Sequence, residues 1–167
     1  SPGEYVEVVA ARNEGTSVKV HGGEVESLTA SVTASLGIRV VVDGRAGFAH
    51  AGSLADDVVA ETLAQARENV AFAEVDPFLT LATPDGVEGV AQPALRNDLV
   101  AAIAVDSKVG RALELERRTL DLDPRVTGVR VASYSDGWGS SALCSTNDIE
   151  VASSGSHCAA ATQPLVV

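Results

Sequence analysis

Aromatic side chains are scarce, 4% of 167 residues, with no methionine and a single tryptophan, Trp138. Hydrophobic residues nonetheless reach 46%, so a core must be built from valine, alanine and leucine. Such small side chains fill space only between closely packed elements, which suits sheet-and-helix layers. Long apolar runs are also missing. None approaches the ~18 residues of a membrane-spanning helix, and no basic-then-apolar leader opens the chain, so a cytoplasmic location is expected. Basic residues number 12 against 23 acidic ones, a net charge of −11. That opposes nonspecific attraction to nucleic acid or anionic lipid, where Lys and Arg must neutralise phosphates. The carboxylates are scattered rather than arranged in tracks, so solubility explains them better than nucleic-acid mimicry. Cysteine is limited to Cys144 and Cys158. Their spacing permits a disulfide, but reduced thiols are expected without an export signal. The histidines are His21, His50 and His157, and no CxxC, HExxH or HxH spacing points to a metal site.

What is present is a succession of strands. Val6, Val8 and Ala10 alternate with Glu7, Val9 and Ala11, as in a strand covered on both faces. Asn13-Glu14-Gly15 reads as a turn, and Ser17 to Val20 alternates with Val18 and Val20 inward. His21-Gly22-Gly23-Glu24 is a second turn, where glycine supplies positive φ. Val25 to Thr33 alternates with Glu26, Leu28, Ala30 and Val32 towards a core. Gly37 reads as a bend or bulge, and Ile38 to Val42 is the strongest β-branched run. Asp43-Gly44 is a hairpin turn, with Arg45 to Ala51 returning.

Ser53 and Asp56 have the form of a capping box. The helix they open carries Val59, Leu63, Ala66, Val70 and Ala73 on one stripe, and Asp76-Pro77 closes it. Residues 77–96 hold three of the six prolines and no clear period, a surface connection expected to be the most mobile part. Asn97 or Asp98 caps a short helix through Ile103. Asp106-Ser107 caps another to about Leu122, with Val109, Ala112, Leu113, Glu116 and Leu120 as an imperfect stripe and Arg117 and Arg118 suiting its carboxyl end. Strands follow: Val126 to Tyr134, a turn at Asp136-Gly137-Trp138-Gly139, Ser140 to Ser145, a break at Asn147-Asp148, Ile149 to Ala152, a turn at Ser153-Ser154-Gly155, and His157 to Thr162. The last residues break off in mid-element, so a longer protein is expected. The fold class is α/β (α+β), a mostly antiparallel sheet of hairpin-linked strands with two main helices packed on it.

Candidate chemistry is sparse. Asp43-Gly44-Arg45 presents an arginine on a hairpin, which an ordinary exposed turn explains. Gly44-Arg45-Ala46-Gly47 is no phosphate loop, for no strand–glycine–helix arrangement surrounds it and no Lys-Ser/Thr follows. Ser140-Ser141 and Ser153-Ser154-Gly155-Ser156-His157 place serines near a histidine without a nucleophile elbow or third partner. Trp138 reads either as an anchor for a partner or as a lid on the core. Asp56, Asp57 and Glu61 sit at a helix start, which their favourable dipole placement explains without catalysis.

The ordered pieces Gly22-Gly23-Glu24-Val25-Glu26-Ser27-Leu28 and Leu36 to Ala49, LGIRVVVDGRAGFA, followed by a capped helix, resemble the N-terminal domain of the TldD/PmbA family, often named modulator of DNA gyrase. Lys108-Val109, Ala112 to Glu116, Asp123-Pro124-Arg125-Val126 and Val129 to Gly137 continue the likeness across nearly the whole chain. The resemblance implies a cytoplasmic metallopeptidase or its partner subunit, with the TldD and PmbA (TldE) types forming a dimer that cleaves unfolded peptides. It places zinc on an HExxxH helix in the C-terminal domain of the TldD-type subunit. N-terminal domains are implied to shape the dimer and the peptide's path. No HExxxH occurs here, and the helix expected before the first strand is missing. No catalytic, cofactor-binding or metal residue is therefore carried over, and whether the chain is itself part of an enzyme stays open. Residues 1–167 are expected to be one N-terminal domain with a partner subunit and an unfolded peptide as its contacts, and neither nucleic acid nor membrane. The alternative is a stand-alone acidic regulatory module of the gyrase-modulator kind without peptidase activity.

Overall fold

The computed structural model describes residues 3–86 and 95–167. Five strands form one sheet: β1 (Glu4–His21), β2 (Glu24–Val42), β3 (Arg45–Ala51), β4 (Val126–Ser145) and β5 (Glu150–Val166), in the order β3-β2-β1-β4-β5. The helices are α1 (Asp56–Asn69), the short α2 (Asp98–Ala101) and α3 (Val105–Leu120), and a 3₁₀ turn, Val70–Phe72, extends α1. This is the expected antiparallel α+β arrangement with two main helices. Among the described residues no helix is long and apolar enough to cross a membrane.

Two of the expected turns are hairpin tips. Gly22 and Gly23 have φ of 64° and 80° between β1 and β2, and Asp43 and Gly44 have 49° and 72° between β2 and β3. Positive φ at both central residues matches the twist of the flanking strands. The second hairpin runs in register from Val42 opposite Arg45 to Leu36 opposite Ala51. A third tip holds Asp148 at φ 60°, closed by the Ser145 N–H donating to the Ile149 carbonyl.

Other expected turns are absent. Asn13-Glu14-Gly15, Gly37, Asp136 to Gly139 and Ser153-Ser154-Gly155 all lie inside unbroken strands. At several of these points glycine answers to crowding, not to reversal. A Cβ on Gly137 would lie 2.6 Å from the Glu14 carbonyl oxygen, and one on Gly15 3.2 Å from the Asp136 carbonyl oxygen. A glycine inside a strand marks close approach as readily as a bend. The helix starts are displaced too. α1 begins at Asp56 with Ala55 as its cap, Ser53 Oγ accepting only from the Ala55 N–H, and Ala104 precedes α3. Asn97 does cap α2, its side chain accepting from the Leu99 N–H.

The chain forms two compact units. One holds the described residues of Ser1–Arg12, Thr33–Pro93 and Ser140–Ser154, the other those of Asn13–Val32, Ala94–Gly139 and Gly155–Val167. In the first, Leu36, Ile38, Val40, Ala49 and Ala66 make the core, with Val6, Val8, Val59, Leu63 and Val70 packed against it. Each fully buried aliphatic side chain contributes ~1.5–3 kcal/mol. Gly47 brings α1 onto the sheet, since a Cβ there would lie 2.0 Å from the Ala66 carbonyl oxygen. Arg67 reaches back to Glu4 with its Nη2 2.7 Å from Oε1. That pairing, foremost the hydrogen bond, draws the Glu4 carboxyl below its usual range. Val9, on the other face of β1, is 43% exposed, so the strand is not covered on both sides. Asn147 Nδ2 donates to the Leu81 and Ala82 carbonyls and ties down the start of the proline-bearing connection, whose residues 87–94 lie outside the described ones.

In the second unit α3 covers Val18, Val20, Val129, Ala132 and Tyr134 through Ala112, Val109, Leu113 and Leu115. Leu28 and Val32, expected in a core, are 44% and 61% exposed. Both clusters are built from valine, alanine and leucine with Ile38 and Tyr134, as the composition requires.

Candidate functional site

The most organised polar constellation lies in the second unit and starts from α3. Lys108, Ala112 and Glu116 follow one another at steps of four, so they share a face of the helix, and all three are buried. Lys108 Nζ donates to Asp136 Oδ1 at 2.7 Å and to Thr16 Oγ1 at 3.0 Å. Asp136, buried on β4, accepts on its other oxygen from the Tyr134 hydroxyl at 3.1 Å. The Cys158 thiol of β5 in turn donates to that hydroxyl at 3.2 Å. Thr16, Lys108, Asp136, Tyr134 and Cys158 thus join β1, α3, β4 and β5. Burial first, and then the bonds to Cys158 and Asp136, push the Tyr134 hydroxyl far above the usual tyrosine range. It stays a proton donor, and the Arg111 guanidinium lies 5.6 Å from the centre of its ring.

Glu116 does a second job on the same face. Its two carboxylate oxygens accept from the N–H groups of Gly22 and Gly23, each at 2.8 Å. The tip of the β1–β2 hairpin is thereby held to α3 by two charge-assisted bonds. Both arrangements are ionic and locked.

The first unit has open hollows on its sheet. One of about 490 Å³ is lined by Glu7, Val9, Gly37, Arg39, Phe48 and His50 among others. Arg39 Nη2 bonds Glu7 Oε1 at 2.8 Å there, and Arg39 Nε is buried without a partner. A second, of about 440 Å³, is lined by Arg12, Leu54, Ser140, Ser141, Ser153 and Ser154 with small alanines. Ser141 and Ser153 are hydrogen-bonded to each other at 2.9 Å.

The residues singled out in the sequence are scattered. The serine-lined hollow holds no histidine, and His157 belongs to the other unit, its ring close to Gly137. His21 Nδ1 lies 3.1 Å from the Val129 carbonyl oxygen, and His50 stacks on Phe48. Cys144 and Cys158 are both free. Trp138 carries the Arg96 guanidinium 4.7 Å from its ring centre. Arg45 flanks a turn whose Gly44 carbonyl accepts from the Asp76 N–H. Asp56, Asp57 and Glu61 are exposed on α1. Among the described residues no three His, Cys, Asp or Glu side chains are grouped to hold a metal ion. Sequence reading missed Lys108, Asp136 and Tyr134 as a connected set. The four-residue spacing of Lys108, Ala112 and Glu116 was the one signal available, whereas Asp136 resembled a turn residue beside two glycines.

An antiparallel five-stranded sheet carrying two long helices, with its polar groups locked between elements, defines an α+β class of which several solved proteins are examples. The chain matches over 99% of its length a candidate modulator of a DNA gyrase from Thermotoga maritima, with 16% identity and a TM-score of 0.82. It matches TldE from Thermococcus kodakarensis over 98%, with 17% identity and a TM-score of 0.85. A candidate modulator of DNA gyrase from Bacteroides thetaiotaomicron gives 98%, 19% and 0.85. The chain spans 36–37% of the length of these proteins, so the likeness is one of fold. Comparison with proteins of curated function returns no match. Two family models match in order, PmbA/TldA metallopeptidase domain 1 over residues 6–70 and the PmbA/TldA metallopeptidase central domain over residues 98–166. The chain belongs to the PmbA/TldD family.

Proposed function

We propose that residues 1–167 act as an N-terminal, non-catalytic part of a cytoplasmic TldD/PmbA-type zinc metallopeptidase or of its partner subunit. In this reading that part contributes contacts in the dimer and guides an unfolded peptide, and the acidic chain engages neither nucleic acid nor membrane. The observation that carries it is the successive match to the first and central domains of a metallopeptidase family. The described residues do not fit a zinc ion, because no three His, Cys, Asp or Glu side chains among them are grouped to hold one. Zinc therefore belongs, in this reading, to the C-terminal domain of a TldD-type subunit.

The test uses the intact protein assembled with its partner subunit, zinc content and cleavage of an unfolded peptide being measured together. Removing residues 1–167 is expected to abolish cleavage while the metal is retained. Unchanged cleavage refutes the proposal. A second reading, an acidic regulatory module, is favoured by the net charge of −11 and by the gyrase-modulator description of two solved relatives. It predicts that the protein alters supercoiling by gyrase at stoichiometric concentration. The peptidase reading predicts no change.

A further inference from the structure

The polar face beneath α3 does not close completely. Thr16 stands two residues before Val18 on β1, and Trp138 two residues after Asp136 on β4, which puts them on the side of the sheet that α3 covers. Among these side chains, Lys108 in the first turn of α3 and Ala101 at the end of α2 lies a cavity of about 30 Å³, with Glu14 also in its wall. The whole wall belongs to the second unit.

The size of the cavity decides what class of guest it takes. One water needs ~10–15 Å³ and a drug-sized ligand ~300 Å³ or more, so the cavity suits a water or a monatomic ion. Charge decides between those two. Lys108 and Asp136, with side chains 8% and 3% exposed, form a neutral pair 2.7 Å apart. Glu14 adds negative charge, which disfavours an anion, and a cation would sit against the buried ammonium. Among the described residues no three His, Cys, Asp or Glu side chains are grouped to outweigh that repulsion. A neutral guest, water, fits.

The inventory of hydrogen bonds points the same way. An ammonium carries three donors. Two of those on Lys108 go to Asp136 Oδ1 at 2.7 Å and Thr16 Oγ1 at 3.0 Å, and among the described residues the third has no partner. A buried, charged N–H left without an acceptor is costly, whereas a bridging water serves nearly as well as a direct bond. Acceptors for the water's own hydrogens lie in the same wall. Each carboxylate oxygen of Asp136 accepts one bond and has capacity for another. Ala101 ends α2, where carbonyls lack partners within the helix.

We infer that this cavity is the site of one ordered water, which accepts from the third N–H of Lys108 and donates within the wall formed by α2 and β4. The water extends the Thr16–Lys108–Asp136 network from β1, α3 and β4 to α2. It is an inference about how the second unit is held, independent of the peptidase reading.

The test is a crystal structure of the full-length protein at atomic resolution, with water-selective nuclear Overhauser spectra of the same protein in solution. One ordered oxygen is expected within hydrogen-bonding distance of Lys108 Nζ. A cross-peak between the Ala101 methyl and water is expected with the sign of a slowly exchanging, bound molecule. The parent protein decides this without any variant. Lys108→Met combined with Asp136→Asn removes both charges together, and is expected to lose the oxygen and the cross-peak while its amide spectrum stays that of a folded chain. A dry cavity in the parent overturns the inference, and so does a cross-peak that survives in the double variant. Anomalous density in the cavity after bromide or rubidium exchange overturns it in favour of an ion.

Discussion

Replacing Lys108 by methionine tests whether the buried ion pair beneath α3 holds the second unit together. Its side chain is 8% exposed and that of Asp136 3%, so water cannot compensate for a lost partner. Breaking a buried pair from one side costs about 3–5 kcal/mol, most of it from the uncompensated charge left behind. Lys108→Met is therefore expected to destabilise by about that amount, with Thr16 also losing a donor. Asp136→Asn leaves the ammonium facing a neutral amide and costs about 2–4 kcal/mol. The double variant removes both charges, and the new side-chain amide on β4 still offers an acceptor to Tyr134. It is expected to recover to within about 2 kcal/mol of the parent, a coupling of at least about 3 kcal/mol. Urea unfolding followed by far-ultraviolet circular dichroism reads this directly. With a slope of roughly 2 kcal/mol per molar, Lys108→Met moves the midpoint down by about 1.5–2.5 M. A single-variant cost below about 1 kcal/mol, or simple additivity in the double variant, refutes the reasoning.

Gly47→Ala forces a Cβ to within 2.0 Å of the Ala66 carbonyl oxygen and 2.6 Å of the Val70 nitrogen, so α1 must shift. A loss of at least about 3 kcal/mol is expected. Gly52→Ala, which meets nothing within 4 Å, is the control and should change thermal stability by less than about 0.5 kcal/mol. Glu116→Ala should cost about 2–3 kcal/mol by freeing the Gly22 and Gly23 N–H groups, and Glu116→Gln, keeping one acceptor, about half of that in the same melts. The hydrogen bonds from Arg117 and then Arg118 hold the Glu114 carboxyl down to about 2 from an ordinary 4.5. Because the folded value is the lower one, the pairing is fully present above pH 4.5 and fades as the pH falls towards 2. A carboxyl titration by NMR with a midpoint near 4.5 would refute the pairing.

Family resemblance and local structure stood in different relations to the residues. Asp43-Gly44 and Gly22-Gly23 were legible as hairpin tips because positive φ is demanded locally and few residue types supply it. Gly15, Gly137 and Gly155 carry the same letter but sit within strands, two of them where another backbone presses close. No local pattern separates a glycine that turns from one that makes room. The same limit hid the polar site. Lys108 and Glu116 look like solvent-facing charges until Asp136 and the Gly22-Gly23 tip are brought to them from far along the chain.

By itself the sequence determined the valine- and alanine-built core, the two long helices, the antiparallel strands before and after them and the family. Each of these rests on periodicity, composition or residue order, which are properties of the chain before it folds. The tertiary structure alone decided which strands run unbroken and that Leu28 and Val32 lie exposed. It also decided that Asp136 is a buried partner of Lys108 and that the strands lie in the order β3-β2-β1-β4-β5. Those facts depend on which backbone lies beside which. Contacts between residues distant in the chain set that, and no window of neighbouring residues contains them.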